Sequence, residues 1–121
     1  MNIRFISKDI HAFLDYPVAL VLIAAPFILE LGATSPAAKW LSVTVGGAAL
    51  ILTIFTNHKL GIIRMLSYRF HVLVDALVGV LFLAAPFALG FTGIEAYYYW
   101  VLGAAVALVI SLSDPKSLAA E

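Results

Sequence analysis

Cysteine is absent from the 121-residue chain, which excludes disulfides, thiolate metal sites and a cysteine nucleophile. Charge is scarce. Asp, Glu, Lys and Arg together make up 12% of the residues, about half of what soluble domains carry. The seven basic and seven acidic side chains cancel, so no excess of one sign points to nucleic acid or to an acidic substrate, and no nucleic-acid partner is expected. A Gly-rich phosphate loop, a Ser-His-Asp arrangement and a nucleotide signature are also missing from the sequence, and the short connections leave few residues to build one. The chain reads as non-enzymatic, with no cofactor expected.

What the sequence has in abundance is apolar residues, 64% of the total with a mean hydropathy of +1.07. A fold this small has too much surface to bury them all, so lipid must cover part of it. A window of about 19 residues picks out four apolar stretches, Ile10 to Leu31, Ala37 to Thr56, Val72 to Phe91 and Tyr97 to Leu112. Each is near the roughly 20 residues that cross a hydrocarbon core as a helix. Strands of a membrane barrel would alternate apolar and polar residues, whereas Val18 to Phe27 and Val101 to Ile110 are apolar on every face. The expected fold class is all-α, an integral membrane protein with four transmembrane helices. No cleavable signal is read, because Met1 to Asp9 carries mixed charge and the first apolar run exceeds a signal-peptide core.

The connections set the expected orientation. Arg4 and Lys8 precede the first stretch, Lys59, Arg64 and Arg69 lie between the second and third, and Lys116 follows the fourth; Lys39 alone falls on the opposite side. The positive-inside rule then places both termini on the cytoplasmic face of a cell membrane. Trp40 and the run Tyr97, Tyr98, Tyr99, Trp100 read as an outer aromatic belt at headgroup depth. Arg64 and Arg69, set among apolar residues, read as a helix in the inner headgroup layer, loosely holding anionic lipid. Glu30 and Glu95 are expected at the outer surface without a partner motif, and His58 as a solvated loop residue. Membrane lipids are the expected partners, with a second copy of the chain or another membrane protein beside them.

The chain matches itself at an offset of 60. Arg4 pairs with Arg64, Ser7 with Ser67, His11 with His71, Asp15 with Asp75, Pro26 with Pro86 and Trp40 with Trp100, without a gap. The sequence is read as one membrane domain, 1–121, made of two repeats, 1–60 and 61–121. Each repeat holds two spans, so both enter the membrane in the same direction and are related by an axis along the bilayer normal. Each begins with a short amphipathic lead-in, Ile3 to Ile6 or Ile62 to Leu66, followed by Ser7 or Ser67 as helix N-cap. Pro26 and Pro86 lie near the outer end of the first span and are expected to kink or end it about one turn earlier. Small residues in the second span, such as Ser42 with Gly46 and Gly103 with Ala107, favour close helix contact in lipid.

Ala25-Pro26-Phe27, followed by Leu29, and Ala85-Pro86-Phe87, followed by Leu89-Gly90-Phe91, resemble the Ser-Pro-Trp motif of the SPW-repeat membrane proteins. The proline is kept and the flanking Ser and Trp are replaced. The resemblance covers nearly the whole chain as two tandem units. It implies a small integral membrane protein of two or four helices with no established activity, and it carries over no catalytic residues.

His11 with Asp15, and His71 with Asp75, are the chemically notable residues. A separation of four places each pair on one helix face. An acidic side chain in a span must turn inward and find a partner, and two parallel repeats bring both pairs to the same depth. Three readings follow. In the structural one, each Asp accepts from its own His, from Arg4 or Arg64, or from Ser7 or Ser67, and the cluster packs the two repeats together. In the second, two imidazoles and two carboxylates bind a divalent metal. In the third, they relay protons or bind a cation in a small, oligomeric transporter or channel. The structural, accessory role is the expected one.

Overall fold

The computed structural model of the chain describes residues 5–56, 61–62 and 66–113. Four helices make up most of it: α1 (Lys8–Ile28), α2 (Pro36–Phe55), α3 (Tyr68–Leu89) and α4 (Gly93–Leu112). Each has 20 to 22 residues and is apolar enough to cross a membrane. The protein is all-α and multi-pass, as composition predicts.

Local chemistry explains where the helices begin and end. Ser7 Oγ accepts from the Ile10 N–H at 3.2 Å and Ser67 Oγ from the Phe70 N–H at 3.1 Å, so both are side-chain N-caps. Pro36 opens α2, where its missing N–H costs nothing. Gly90, in the left-handed region at φ +72°, closes α3. Pro26 and Pro86 do not end their helices a turn early: α1 continues to Ile28 and α3 to Leu89. The chain beyond them still finds acceptors, since Leu29 N–H donates to the Ala25 carbonyl and Leu31 N–H to that of Pro26. The lead-ins lie partly outside the described residues. Ile6 forms an isolated parallel bridge with Ser113, and Leu66 forms one with Thr56.

Helices α1 and α2 pack as one hairpin, α3 and α4 as a second, with α2 and α3 also in contact. Each hairpin closes on a glycine. A Cβ at Gly46 would lie 2.8 Å from Leu22 Cβ and 3.0 Å from the Ala19 carbonyl oxygen; one at Gly103 would lie 2.9 Å from Leu83 Cγ and 3.1 Å from the Gly79 carbonyl oxygen. Ala19 and Gly79 differ by 60, but Gly46 and Gly103 differ by 57. The second helices follow the same register, starting at Pro36 and Gly93 and ending at Phe55 and Leu112. The ungapped offset of 60 therefore holds for α1 and α3 only. The second connection is shorter, and Gly90 and Gly93, both at positive φ, make the tighter reversal sterically possible.

Both connections lie at one end of the bundle, where Leu22, Leu31, Phe82, Phe91 and Tyr99 form the apolar core. The Tyr99 ring packs on Phe82 with centroids 4.6 Å apart and on Phe91 at 4.9 Å. The expected aromatic belt is thus only half present. Trp40 and Tyr97 are exposed, whereas Tyr98 and Tyr99 are buried. Four consecutive residues on a helix sweep around its whole circumference, so they cannot all face lipid. Tyr99 OH donates to the Ala38 carbonyl at 2.6 Å, and Tyr98 OH shares a hydrogen bond with Ser42 Oγ, tying α4 to α2. The outward faces of α1 and α3 carry Phe13, Leu20, Leu73, Leu77 and Val80, all exposed to the surrounding medium.

Candidate functional site

At the opposite end the first turns of α1 and α3 bring four polar side chains together. His11 and His71 are buried, with ring centroids 6.0 Å apart and planes nearly perpendicular. Asp15 and Asp75 lie seven residues into their helices, about 10 Å along the axis. They complete a ring of contacts. His11 Nε2 is 3.0 Å from Asp75 Oδ2 and 3.3 Å from Asp15 Oδ1; His71 Nε2 is 3.0 Å from Asp15 Oδ2 and 3.4 Å from Asp75 Oδ2. Each imidazole is therefore nearer the carboxylate of the other hairpin than the one four residues along its own helix.

The far side of each imidazole is held by a hydroxyl. His11 Nδ1 is 3.1 Å from Ser113 Oγ at the end of α4, and His71 Nδ1 is 2.7 Å from Thr56 Oγ1 at the end of α2. These hydroxyls fix the ring tautomers. Ser113 Oγ donates its single hydrogen to the Val109 carbonyl at 2.7 Å, and Thr56 Oγ1 donates to that of Leu52 at 2.6 Å. Each hydroxyl oxygen can then only accept from the histidine. Nδ1 carries a proton in both rings, and Nε2 of both faces the carboxylates.

The four side chains cap an elongated cavity of about 330 Å³ between the hairpins. Its walls beyond them are almost entirely apolar, with Val18, Leu22, Val45, Val78 and Leu102 among the lining residues. Thr53 is the polar exception, and its hydroxyl is engaged by the Ala49 carbonyl at 2.8 Å. Polar groups thus gather at the terminal end and stop there.

The structure brings His11, Asp15, His71 and Asp75 together. Ser7 and Ser67 instead cap their helices, and their hydroxyls are spent on Ile10 and Phe70. Arg4 and Arg64 lie outside the described residues, as does His58. The centre of the expected headgroup-layer helix, around Arg64, lies outside the described residues, and Arg69 stands in the first turn of α3.

The family model for the SPW repeat domain matches residues 9–113, a stretch that contains the whole ring and both hydroxyl supports. The chain belongs to the SPW repeat family. No curated protein and no solved structure matches it. In this SPW repeat chain, sequence reasoning missed the two hydroxyl supports of the ring and a buried carboxylate at the other end of the bundle. Ser113 and Thr56 stand 57 apart, so an alignment with a three-residue gap would have paired them. Glu95 sits in the first turn of α4 and is buried, not on the outer surface; its Oε2 accepts from the Gly32 N–H at 2.7 Å and the Ser35 N–H at 3.4 Å. Its partners are backbone groups, which leave no side-chain motif.

Proposed function

We propose that this SPW repeat protein has a structural, accessory role in the cell membrane, in which the His11–Asp15–His71–Asp75 ring locks two tandem hairpins side by side. The crossing of the ring carries this reading: the shortest contact of each histidine, 3.0 Å in both cases, reaches the other hairpin. When Nε2 also carries a proton, each imidazolium donates to a carboxylate on the opposite hairpin, and charges that would be costly in isolation compensate one another. The lead-ins reinforce the lock, since Ile6 N–H donates to the Leu112 carbonyl and Leu66 N–H to that of Phe55, each across hairpins. The apolar cavity wall beyond Asp15 and Asp75 favours a lock over a proton path. Ala25-Pro26-Phe27 and Ala85-Pro86-Phe87 stand at the Ser-Pro-Trp positions of the two units in this reading, lipid covers the exposed faces, and a second copy or another membrane protein is the accessory partner.

A double-mutant cycle on His11 and Asp75 in detergent tests the lock. Single hydrogen bonds between membrane helices couple by about 0.6 to 1.7 kcal/mol, so this charge-capable pair is expected to couple by about 1 to 2 kcal/mol. A coupling below about 0.5 kcal/mol, the level at which independent sites add, contradicts the lock.

The proposal places both termini in the cytoplasm, supported by the distribution of Lys and Arg among the connections. The protein lacks cysteine, so a single Ala33→Cys, at an exposed position of the α1–α2 connection, is the sole thiol. On intact cells a membrane-impermeant maleimide is expected to label it. Labelling only after the membrane is opened reverses the orientation.

A further inference from the structure

The ring has the donor set and dimensions of a metal site. Its inward atoms are two imidazole nitrogens and carboxylate oxygens from two aspartates, all within 4.8 Å of one another. A tetrahedral ion with bonds of about 2.0 to 2.1 Å sets its ligand atoms about 3.3 to 3.4 Å apart. Asp75 Oδ2 lies 3.0 Å from His11 Nε2 and 3.4 Å from His71 Nε2, close to that spacing, whereas Asp15 meets the two imidazoles through different oxygens, Oδ1 at 3.3 Å and Oδ2 at 3.0 Å, so the ion enters once one Asp15 oxygen faces both.

Two further observations point the same way. Both histidines have Nδ1 tied to a hydroxyl that can only accept, which fixes the tautomer that leaves Nε2 as the ligand atom. Metal-bound histidines are held this way, with the second nitrogen donating to an outer partner. In addition, Asp15 Oδ2 is a buried oxygen 3.0 Å from His71 Nε2, a contact it can exchange for a bond to the ion when Nε2 gives up its proton.

The geometry points to a site for one tetrahedral first-row divalent cation, held by His11 Nε2, His71 Nε2 and one carboxylate oxygen each from Asp15 and Asp75. Imidazole nitrogens select zinc-like ions over magnesium and calcium, which take six or more oxygen ligands. Two carboxylates neutralise the ion, and any protons held at Nε2 leave as it enters. Ser113 and Thr56 are positioning residues that hold the imidazoles. The inference rests on the ring reading above and adds an occupant to it.

The test is calorimetric titration of the tag-free, full-length protein in detergent, stripped with a chelator, using Zn²⁺ and Mg²⁺ as probes. One Zn²⁺ per chain and no Mg²⁺ is the expected result, with binding lost in the shape-conserving Asp15→Asn/Asp75→Asn double variant. Absence of Zn²⁺ binding by the native protein, or equal binding by the folded double variant, overturns the inference. Should that variant not fold, Thr56→Val/Ser113→Ala decides. It keeps all four ligands and is expected to bind Zn²⁺ about 10 to 100-fold more weakly; unchanged affinity overturns the site. Unfolding of the same proteins without metal separates the two ideas. A native chain that binds no Zn²⁺ but loses stability when the ring is altered has the lock without the ion.

Discussion

Asp15→Ala is expected to lower the unfolding free energy of the metal-free protein by about 3 to 5 kcal/mol, the cost of removing one partner from a buried ion pair. The size of the effect follows from what is left behind. Asp15 is the 3.0 Å partner of His71 and also touches His11, and both imidazoles are buried. Truncation strands two rings whose Nδ1 positions remain fixed by Thr56 and Ser113, so neither can turn away to find another acceptor. Asp75→Ala should cost a similar amount because its contacts mirror those of Asp15. Asp9→Ala, in the exposed first turn of α1, should stay within about 0.5 kcal/mol of the native protein. Denaturant titration in micelles compares all three. Equal effects at Asp15 and Asp9 would mean that the ring bears no load.

Glu95→Ala carries the second large effect, at the other end of the bundle. Its carboxylate receives the Gly32 and Ser35 N–H groups of the connection between α1 and α2. Gly32, at φ +97°, lies in a backbone region that few residues adopt, so this loop depends on its hydrogen bonds for its shape. A charge-assisted bond of this kind contributes about 1.5 to 3 kcal/mol, and its loss also leaves a half-buried amide unmatched. The expected loss for Glu95→Ala is about 2 to 3 kcal/mol by the same titration. Faster amide exchange at Gly32 and Ser35, with the ring end unchanged, should accompany it. Unaltered stability would show that the loop holds its shape without the carboxylate.

Much of this architecture was legible in the sequence because lipid imposes it. A helix must satisfy its own backbone, so four apolar stretches of about 20 residues leave little choice of fold. The two His and Asp pairs were visible for the same reason, since ionisable groups in a span need partners. Which carboxylate each imidazole approaches most closely was not visible. A spacing of four predicts that His11 meets Asp15, and it does, but the closer contact is to Asp75, which depends on how α1 and α3 lie against each other. Ser113 and Thr56 were hidden by the ungapped offset of 60, which carries Thr56 onto Lys116 instead of Ser113. The anchoring of Tyr98 and Tyr99 was hidden because their side chains bond to Ser42 and to a backbone carbonyl, neither of which marks a tyrosine partner in sequence.

The most direct test of the lock is a distance between the hairpins with and without the ring. Phe13→Cys and Leu73→Cys place one spin label on each of α1 and α3, at exposed positions close to the ring, in a chain with no other thiol. Pulsed electron resonance on the otherwise native protein should give a single narrow distance distribution, and adding Asp15→Ala and Asp75→Ala should broaden it towards longer distances. A distribution that stays narrow and unmoved in the ringless protein would contradict the claim that these four side chains hold the two hairpins together.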